Sequence, residues 1–322
     1  MVEVVKSAPT SSRALITVGI TCYLEGDWLS DCWNSVLAQT DDRWVAVLVM
    51  DGGASARTRE IFDQLEHPKL KKIAMSQNVG PYPTRNKAFK LTETPYHFYL
   101  DGDDQLKPDA IATVLEEFAR HPDAAFVYGD YECFGAYHEI CRFPKEVRAD
   151  NLATQQVTPG PCAYKVETWR RLGGFADELA RGNADYDFLI GAFECGLRGY
   201  HCGRIFYRYR IGHSNKVSQS YNLTYHKTHE AMVRRHRRFF SNRRPRNFFL
   251  ALGYRRAALA NYAIGRLKVA AILAWAACRH GFWRDREMQI IILKGRLPSV
   301  LFGGLQRVWR AVNVREHRRS PH

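Results

Sequence analysis

No two of the eight cysteines (Cys22, Cys32, Cys133, Cys141, Cys162, Cys195, Cys202 and Cys278) stand in C-x-x-C spacing. A zinc ribbon and a thioredoxin-type redox pair are therefore disfavoured. Several lie in apolar stretches, which suits reduced cytosolic thiols better than a disulfide framework. There is no G-x-x-x-x-G-K-[ST] motif, and no G-x-G-x-x-G follows the first strand-like run, which argues against a P-loop NTPase and a dinucleotide dehydrogenase. Long apolar runs are missing too. The longest clean one, residues 269–278, would reach about 15 Å as a helix, half of the roughly 30 Å bilayer core. The apolar stretch 14–21 leads into Glu25 and Asp27 instead of a small-residue cleavage site, so it reads as a strand, not a signal peptide. Acid is scarce beyond residue 230. Residues 231–322 hold 21 Lys and Arg against three Asp and Glu, a net +18, which leaves −4 for the first 230 residues of the chain's +14. Such asymmetry implies two partners, or one partner with two ends.

What is present is ordinary globular material: 322 residues, 46% hydrophobic and 25% charged, enough for one large domain plus an appendage. Buried-strand runs (14–21, 44–50, 71–75, 97–100 and 125–134) alternate with amphipathic stretches (27–39, 58–66, 83–91 and 107–121). That alternation predicts an α/β fold with a mostly parallel sheet flanked by helices. Ligands then bind at the carboxyl ends of the strands. Three of those ends are informative: Thr21-Cys22-Tyr23, Asp51-Gly52-Gly53 and Asp101-Gly102-Asp103-Asp104. Carboxylates crowded within four residues repel one another unless a cation sits among them. Mg²⁺ or Mn²⁺ would relieve that repulsion, using one or two carboxylates and phosphate oxygens. A solvated acidic turn that caps the following helix has the same pattern, and spacing alone leaves both open.

The order of motifs carries more. Thr21-x-Tyr23, Val49-Met50-Asp51-Gly52, Asn78-x-Gly80 leading to Arg85-Asn86, Leu100-Asp101-Gly102-Asp103-Asp104, Gly173-Gly174-Phe175 and Asp185-Tyr186-Asp187 together resemble glycosyltransferase family 2, over about residues 14–218. The resemblance implies an inverting enzyme with the GT-A fold, a Rossmann-like, mostly parallel mixed sheet. It also implies a nucleotide-sugar donor, a UDP-sugar foremost, with Mn²⁺ or Mg²⁺ as cofactor. Carried over residue by residue, Thr21, Tyr23 and Asp51 would hold the nucleobase with Arg85 nearby. Asp101 would meet the ribose, and Asp103 the metal that bridges the diphosphate. Asp185 would be the general base, and His213 would complete the metal shell. The sequence departs from the family's pattern at Met50 and Ala184, where acids are usual, and at Leu24, where Asn is common.

Physical chemistry supports these assignments. A cation at Asp103 would stabilise the charge that grows on the leaving diphosphate. A base must take the acceptor proton, a contribution of about 10²–10⁴-fold. Asp185 and Asp187 are two apart, so on a helix they point in different directions and cannot both serve. Asp185 precedes the apolar stretch 188–195, and a helix N-terminus favours negative charge; the plainer reading makes Asp185 a helix cap and Asp187 a first-turn acid. For Arg208 and Arg210 the expectation is one residue toward the diphosphate and the other facing away. Trp169 and Tyr164 are expected in the core. A nucleotidyltransferase also uses strand-end carboxylates, but it needs a basic, Gly-rich early loop where this chain has the acidic residues 21–27. A glycosyltransferase-like scaffold without activity is the non-enzyme alternative.

The expected domains are a tail (1–13), a GT-A domain (14–225) and a basic, aromatic-rich helical extension (226–322). Nineteen arginines after residue 230 are interleaved with Phe and Trp. They could solvate a helical hairpin, or meet anionic head groups at a membrane surface. No recognised module accompanies the charge, so nucleic acid is not expected as a partner. The acceptor class is a glycan or a lipid-linked sugar. The expected location is cytoplasmic, peripheral on the cytoplasmic face of the membrane.

Overall fold

Strand β1 (Ile16–Cys22) is buried along its whole length, and β2 (Trp44–Met50) nearly so. Uninterrupted apolar runs of this kind suit a parallel sheet covered on both faces. The protein is described here by a computed structural model covering residues 14–212 and 222–296. After β1 come α1 (Trp28–Leu37), β2, α2 (Ala56–Gln64), β3 (Leu70–Ala74), α3 (Pro81–Lys90) and β4 (Tyr96–Asp101). Next are β5 (Gln105–Leu106), α4 (Ala110–Arg120), β6 (Ala124–Gly135), β7 (Glu139–Cys141) and α5 (Ala149–Leu152). The series continues with β8 (Ala163–Lys165), α6 (Val166–Leu172), α7 (Ala184–Glu194) and β9 (Arg198–Ile211). Four further helices follow: α8 (Tyr225–Arg235), α9 (Arg243–Ala263), α10 (Leu267–Ala277) and α11 (Arg286–Arg296).

The sheet order is β3-β2-β1-β4-β8-β6-β9-β5, with β7 beside β6. Its first four strands are parallel, whereas β8 runs antiparallel to both β4 and β6, and β5 antiparallel to β9. Alternate β1 residues Ile16, Val18 and Ile20 pack with the buried faces of α1, α2 and α4. On the other face Val47 and Val49 meet Ala88 of α3. In register Cys22 lies beside Met50, and Thr21 beside Asp101, so the three strand-end loops leave the sheet side by side. All eight cysteines are free.

Two compact units emerge. Among the described residues one comprises 14–212 with Arg234–Ser241, the other 222–233 with 242–296. The second has its own core, in which Ala257, Ala258, Ala270, Ala274 and Ala277 pack with Leu273, Met288 and Ile291. Among the described residues no helix is long and apolar enough to cross a membrane.

Candidate active site

The acidic loop after β4 is a tight turn, with the Asp104 amide donating to the Asp101 carbonyl at 3.0 Å and the Gly102 amide to the Thr21 carbonyl at 2.9 Å. Its three aspartates do different things. Asp104 is buried; its carboxylate accepts from the Tyr207 hydroxyl and the Arg210 amide, each at 2.7 Å. Burial, with Asp103 and Asp101 adding repulsion, pushes its carboxyl well above the usual range. Asp101 accepts Arg85 Nη2 at 2.7 Å on each oxygen and Arg85 Nε at 3.2 Å on Oδ1, and the Thr21 hydroxyl donates to it at 3.2 Å. Asp103 stays partly exposed at the turn, and Arg210 Nε holds its carbonyl at 2.8 Å.

Asp51 follows β2. Its carboxylate is buried and accepts the backbone amides of Gly52, Val79 and Gly80, each at 2.9 Å. Gly80 is the N-cap of α3, so Asp51 ties the β2 loop to the start of that helix. Tyr23 is half-buried in the loop after β1, and its amide donates to the Glu25 carboxylate. Glu25 was not picked out by sequence reading. Its Cγ packs 3.3 Å from where a Cβ on Gly102 would stand, and burial, reinforced by Asp103 and Asp101, pushes its carboxyl up to about 8. Nothing in the spacing of a lone Glu in a TCYLEGD segment distinguishes it.

Arg85, on α3, is almost fully buried and lies between the Tyr82 and Tyr99 rings, 4.7 Å from each centroid. Burial alone would lower its pKa, but Asp101 and the tyrosines raise it well above the ordinary value. Tyr82 then donates its hydroxyl to Asp185 Oδ1 at 2.6 Å. Asp185 sits in the first turn of α7 and is buried, with its Oδ2 accepting from Gln156 at 2.8 Å. A Cβ on Gly160 would stand 2.9 Å from that same oxygen and 2.8 Å from the Tyr99 hydroxyl, so a larger residue there would push on both side chains. An unbroken series of contacts therefore runs from Asp101 through Arg85 and Tyr82 to Asp185. Tyr82 and Gln156 were not foreseen, because neither belongs to an acidic or Gly-rich pattern.

The neighbouring Asn86 does a separate task. Its side-chain amide donates to the Phe175 carbonyl at 2.8 Å and accepts the Phe175 amide at 2.9 Å, pinning the Gly173-Gly174-Phe175 loop ahead of α7. Asn183, the N-cap of α7, has φ 62°, a left-handed conformation that Asn tolerates better than most residues. Asp187 turns away from Asp185, as their separation predicts, to Arg235 and His236 at 2.9 Å. Trp169 and Tyr164 are core residues, Trp169 stacking on Phe89 at 5.2 Å. The expectation for Arg208 and Arg210 needs correcting: residues two apart on a strand share a face, and both guanidinium groups lie over Phe134, at 4.4 and 4.6 Å. His213 lies outside the described residues.

Among the described residues no three His, Cys, Asp or Glu side chains form a ready-made metal cage. A Mg²⁺ or Mn²⁺ site that draws on phosphate oxygens needs only one or two carboxylates. Asp103, partly exposed at the turn, and Asp101 two residues before it offer that number.

Comparison with known proteins follows the same lines. Residues 17–168 match the profile of glycosyl transferase family 2. Over 225 residues the chain is 25% identical to the chondroitin synthase of Pasteurella multocida (strain Pm70), covering 68% of this chain but 23% of that protein's length. The fold is similar to S. aureus TarS 1-349 in complex with UDP-GlcNAc, with TM-score 0.63 and 15% identity over 82% of this chain and 81% of that one. It is also similar to the mannosyltransferase PcManGT from Pyrobaculum calidifontis in complex with GDP-Man and Mn²⁺, with TM-score 0.54 and 16% identity over 91% and 90% of the two chains. The mixed sheet with flanking helices is thus the GT-A fold.

Proposed function

For a chain that belongs to glycosyltransferase family 2 by its residues 17–168, we propose inverting transfer of a sugar from a nucleotide-sugar donor to a hydroxyl acceptor. The donor is a UDP-sugar, and the acceptor a glycan or lipid-linked sugar in surface polysaccharide or glycolipid synthesis. The observation that supports this most is the series of contacts joining Asp101 to Asp185 through Arg85 and Tyr82, which ties one carboxylate of each kind into a single site.

In this reading Thr21, Tyr23 and Asp51 bind the nucleobase, and Arg85 holds Asp101 in the rotamer that meets the ribose. Asp103, with His213, would hold Mn²⁺ or Mg²⁺; when bound, the cation offsets the charge developing on the leaving diphosphate. Asp185 takes the proton from the acceptor hydroxyl as the new bond to the anomeric carbon forms on the face opposite the leaving group. Tyr82 and Gln156 keep its two oxygens aimed, so the base does not have to reorganise during the step. Residues 231–322, at net +18, place the protein peripherally on the cytoplasmic face of a membrane.

Asp185→Asn should lower transfer by about 10²–10⁴-fold with circular dichroism unchanged, and Asp103→Ala should do the same. Near-normal turnover in either variant overturns the assignment. The anomeric configuration of the product, read by NMR, tests inversion directly.

A further inference from the structure

The second unit presents a face that its own core does not use. Helix α10 buries Ala270, Leu273, Ala274 and Ala277. Gly295 of α11 approaches so closely that a Cβ there would stand 2.3 Å from that of Ala271. Alanines and Gly295 line the inside of the hairpin together with Leu273, Met288 and Ile291, and several other large apolar side chains are left outside. Ile272 is 68% exposed, Leu293 62% and Trp283 59%, with Val269, Trp275 and Ile290 exposed as well. On α10 the residues Lys268, Ile272 and Trp275 follow the spacing of one helix side, with Arg279 two residues past its end, and on α11 so do Arg286, Ile290 and Leu293.

Cations interleave with these groups. Arg279 lies over the Trp275 ring at 4.8 Å, and Arg284 over Trp283 at 4.3 Å. The two acids of the stretch, Asp285 and Glu287, are both taken by Arg255. Arg279, Arg284 and Arg286 therefore keep their charge without an acidic partner among the described residues. Exposed large apolar side chains interleaved with cations call for an occupant that is apolar at one depth and anionic at another. An anionic bilayer has that layering, with phosphates above an acyl boundary.

We infer that the exposed face of α10 and α11 docks on an anionic phospholipid surface, with Ile272, Trp275 and Leu293 entering the acyl boundary and Arg279 and Arg284 meeting lipid phosphates. This rests on the peripheral placement proposed above and names the face and the lipid chemistry. It is separable from sugar transfer. A protein that transfers sugar but ignores vesicles refutes the docking alone, and one that binds vesicles without transferring refutes the transferase reading alone.

The test is co-sedimentation of the full chain with vesicles of phosphatidylcholine, or of equimolar phosphatidylcholine and phosphatidylglycerol. The chain should bind the mixed vesicles at least about tenfold better than the neutral ones, given the usual strength of electrostatic attraction to anionic lipid. Replacing two buried-on-binding side chains, in I272S/W275S, should weaken that binding about tenfold or more. R279Q/R284Q, which alters only exposed charge, should weaken it about 25-fold at low salt, at roughly fivefold per cation, and flatten its salt dependence. Equal binding to both vesicle types, or binding to neither, overturns the inference. So does a lipid-free dimer in ultracentrifugation that I272S/W275S converts to a monomer, which would assign the face to a second copy.

Discussion

A guanidinium placed between two tyrosine rings in a nearly dry site must have its charge answered, and at Arg85 the answer is Asp101. Removing one partner of such a pair costs more than the pair contributes, since the other charge is left stranded. Arg85→Met should destabilise the fold by about 2–3 kcal/mol, below the 3–5 typical of fully buried pairs, because 27% of the Asp101 side chain still meets solvent. Urea melts would show it, and a change within error would mean that Asp101 is solvated well enough alone. Tyr82→Phe removes only a hydroxyl. Its hydrogen bond to the charged Asp185 is worth about 1.5 kcal/mol, so kcat should fall about tenfold with the donor KM unchanged; a rise in KM with constant kcat would move Tyr82 to the binding side. The sequence points to Arg85, Asp101 and Asp185 through the ordered motifs that resemble glycosyltransferase family 2, whereas spacing alone leaves a solvated turn and a helix cap open. It was silent on Tyr82, Gln156 and Glu25, whose importance comes from tertiary neighbours far along the chain.

At the scale of elements, α7 is held at both ends of its charge. Asp185 and Asp187 lie in its first turn and Glu194 in its last, with His236 bonded to Asp187 at 2.9 Å and to Glu194 at 2.8 Å. Burial lowers the His236 pKa, but the hydrogen bonds and charges of the two carboxylates outweigh it, and the net shift is upward from 6.5. A histidine raised on folding binds more protons in the native state. Its stabilisation is therefore complete below the unfolded value near 6.5 and lost as pH rises through the higher folded value. Wild-type stability measured by urea melts should decline above pH 6.5, and His236→Gln should be less stable at pH 6 and remove much of that decline. A variant with an identical slope would place the titration elsewhere. The sequence made this helix legible through its apolar period and its acidic start. The antiparallel join through β8 was not legible, because a three-residue strand has no period to read. Its place is set by pairing with β4 and β6.

Over the whole molecule the charge is unevenly placed, with −4 before residue 231 and +18 from there on. The acidic part contains the turn on which Asp101 and Asp103 converge with Glu25, and this gives a prediction that needs neither the acceptor nor the product. A donor and a cation that bind only the folded protein raise its stability by about 2.7 kcal/mol at a hundred times Kd. UDP with Mn²⁺ should therefore raise the melting temperature clearly, while UDP alone or Mn²⁺ alone should do so much less, because phosphate oxygens complete the cation's shell. Asp103→Ala should abolish the extra rise that requires both together and keep whatever UDP gives alone through the nucleobase contacts proposed above. Arg85 and Asp51 remain in place in that variant, so loss of the UDP-only shift as well would show that the turn itself had collapsed. A full combined shift in Asp103→Ala would show that the cation is held by other groups, and the acidic turn would then revert to a solvated loop.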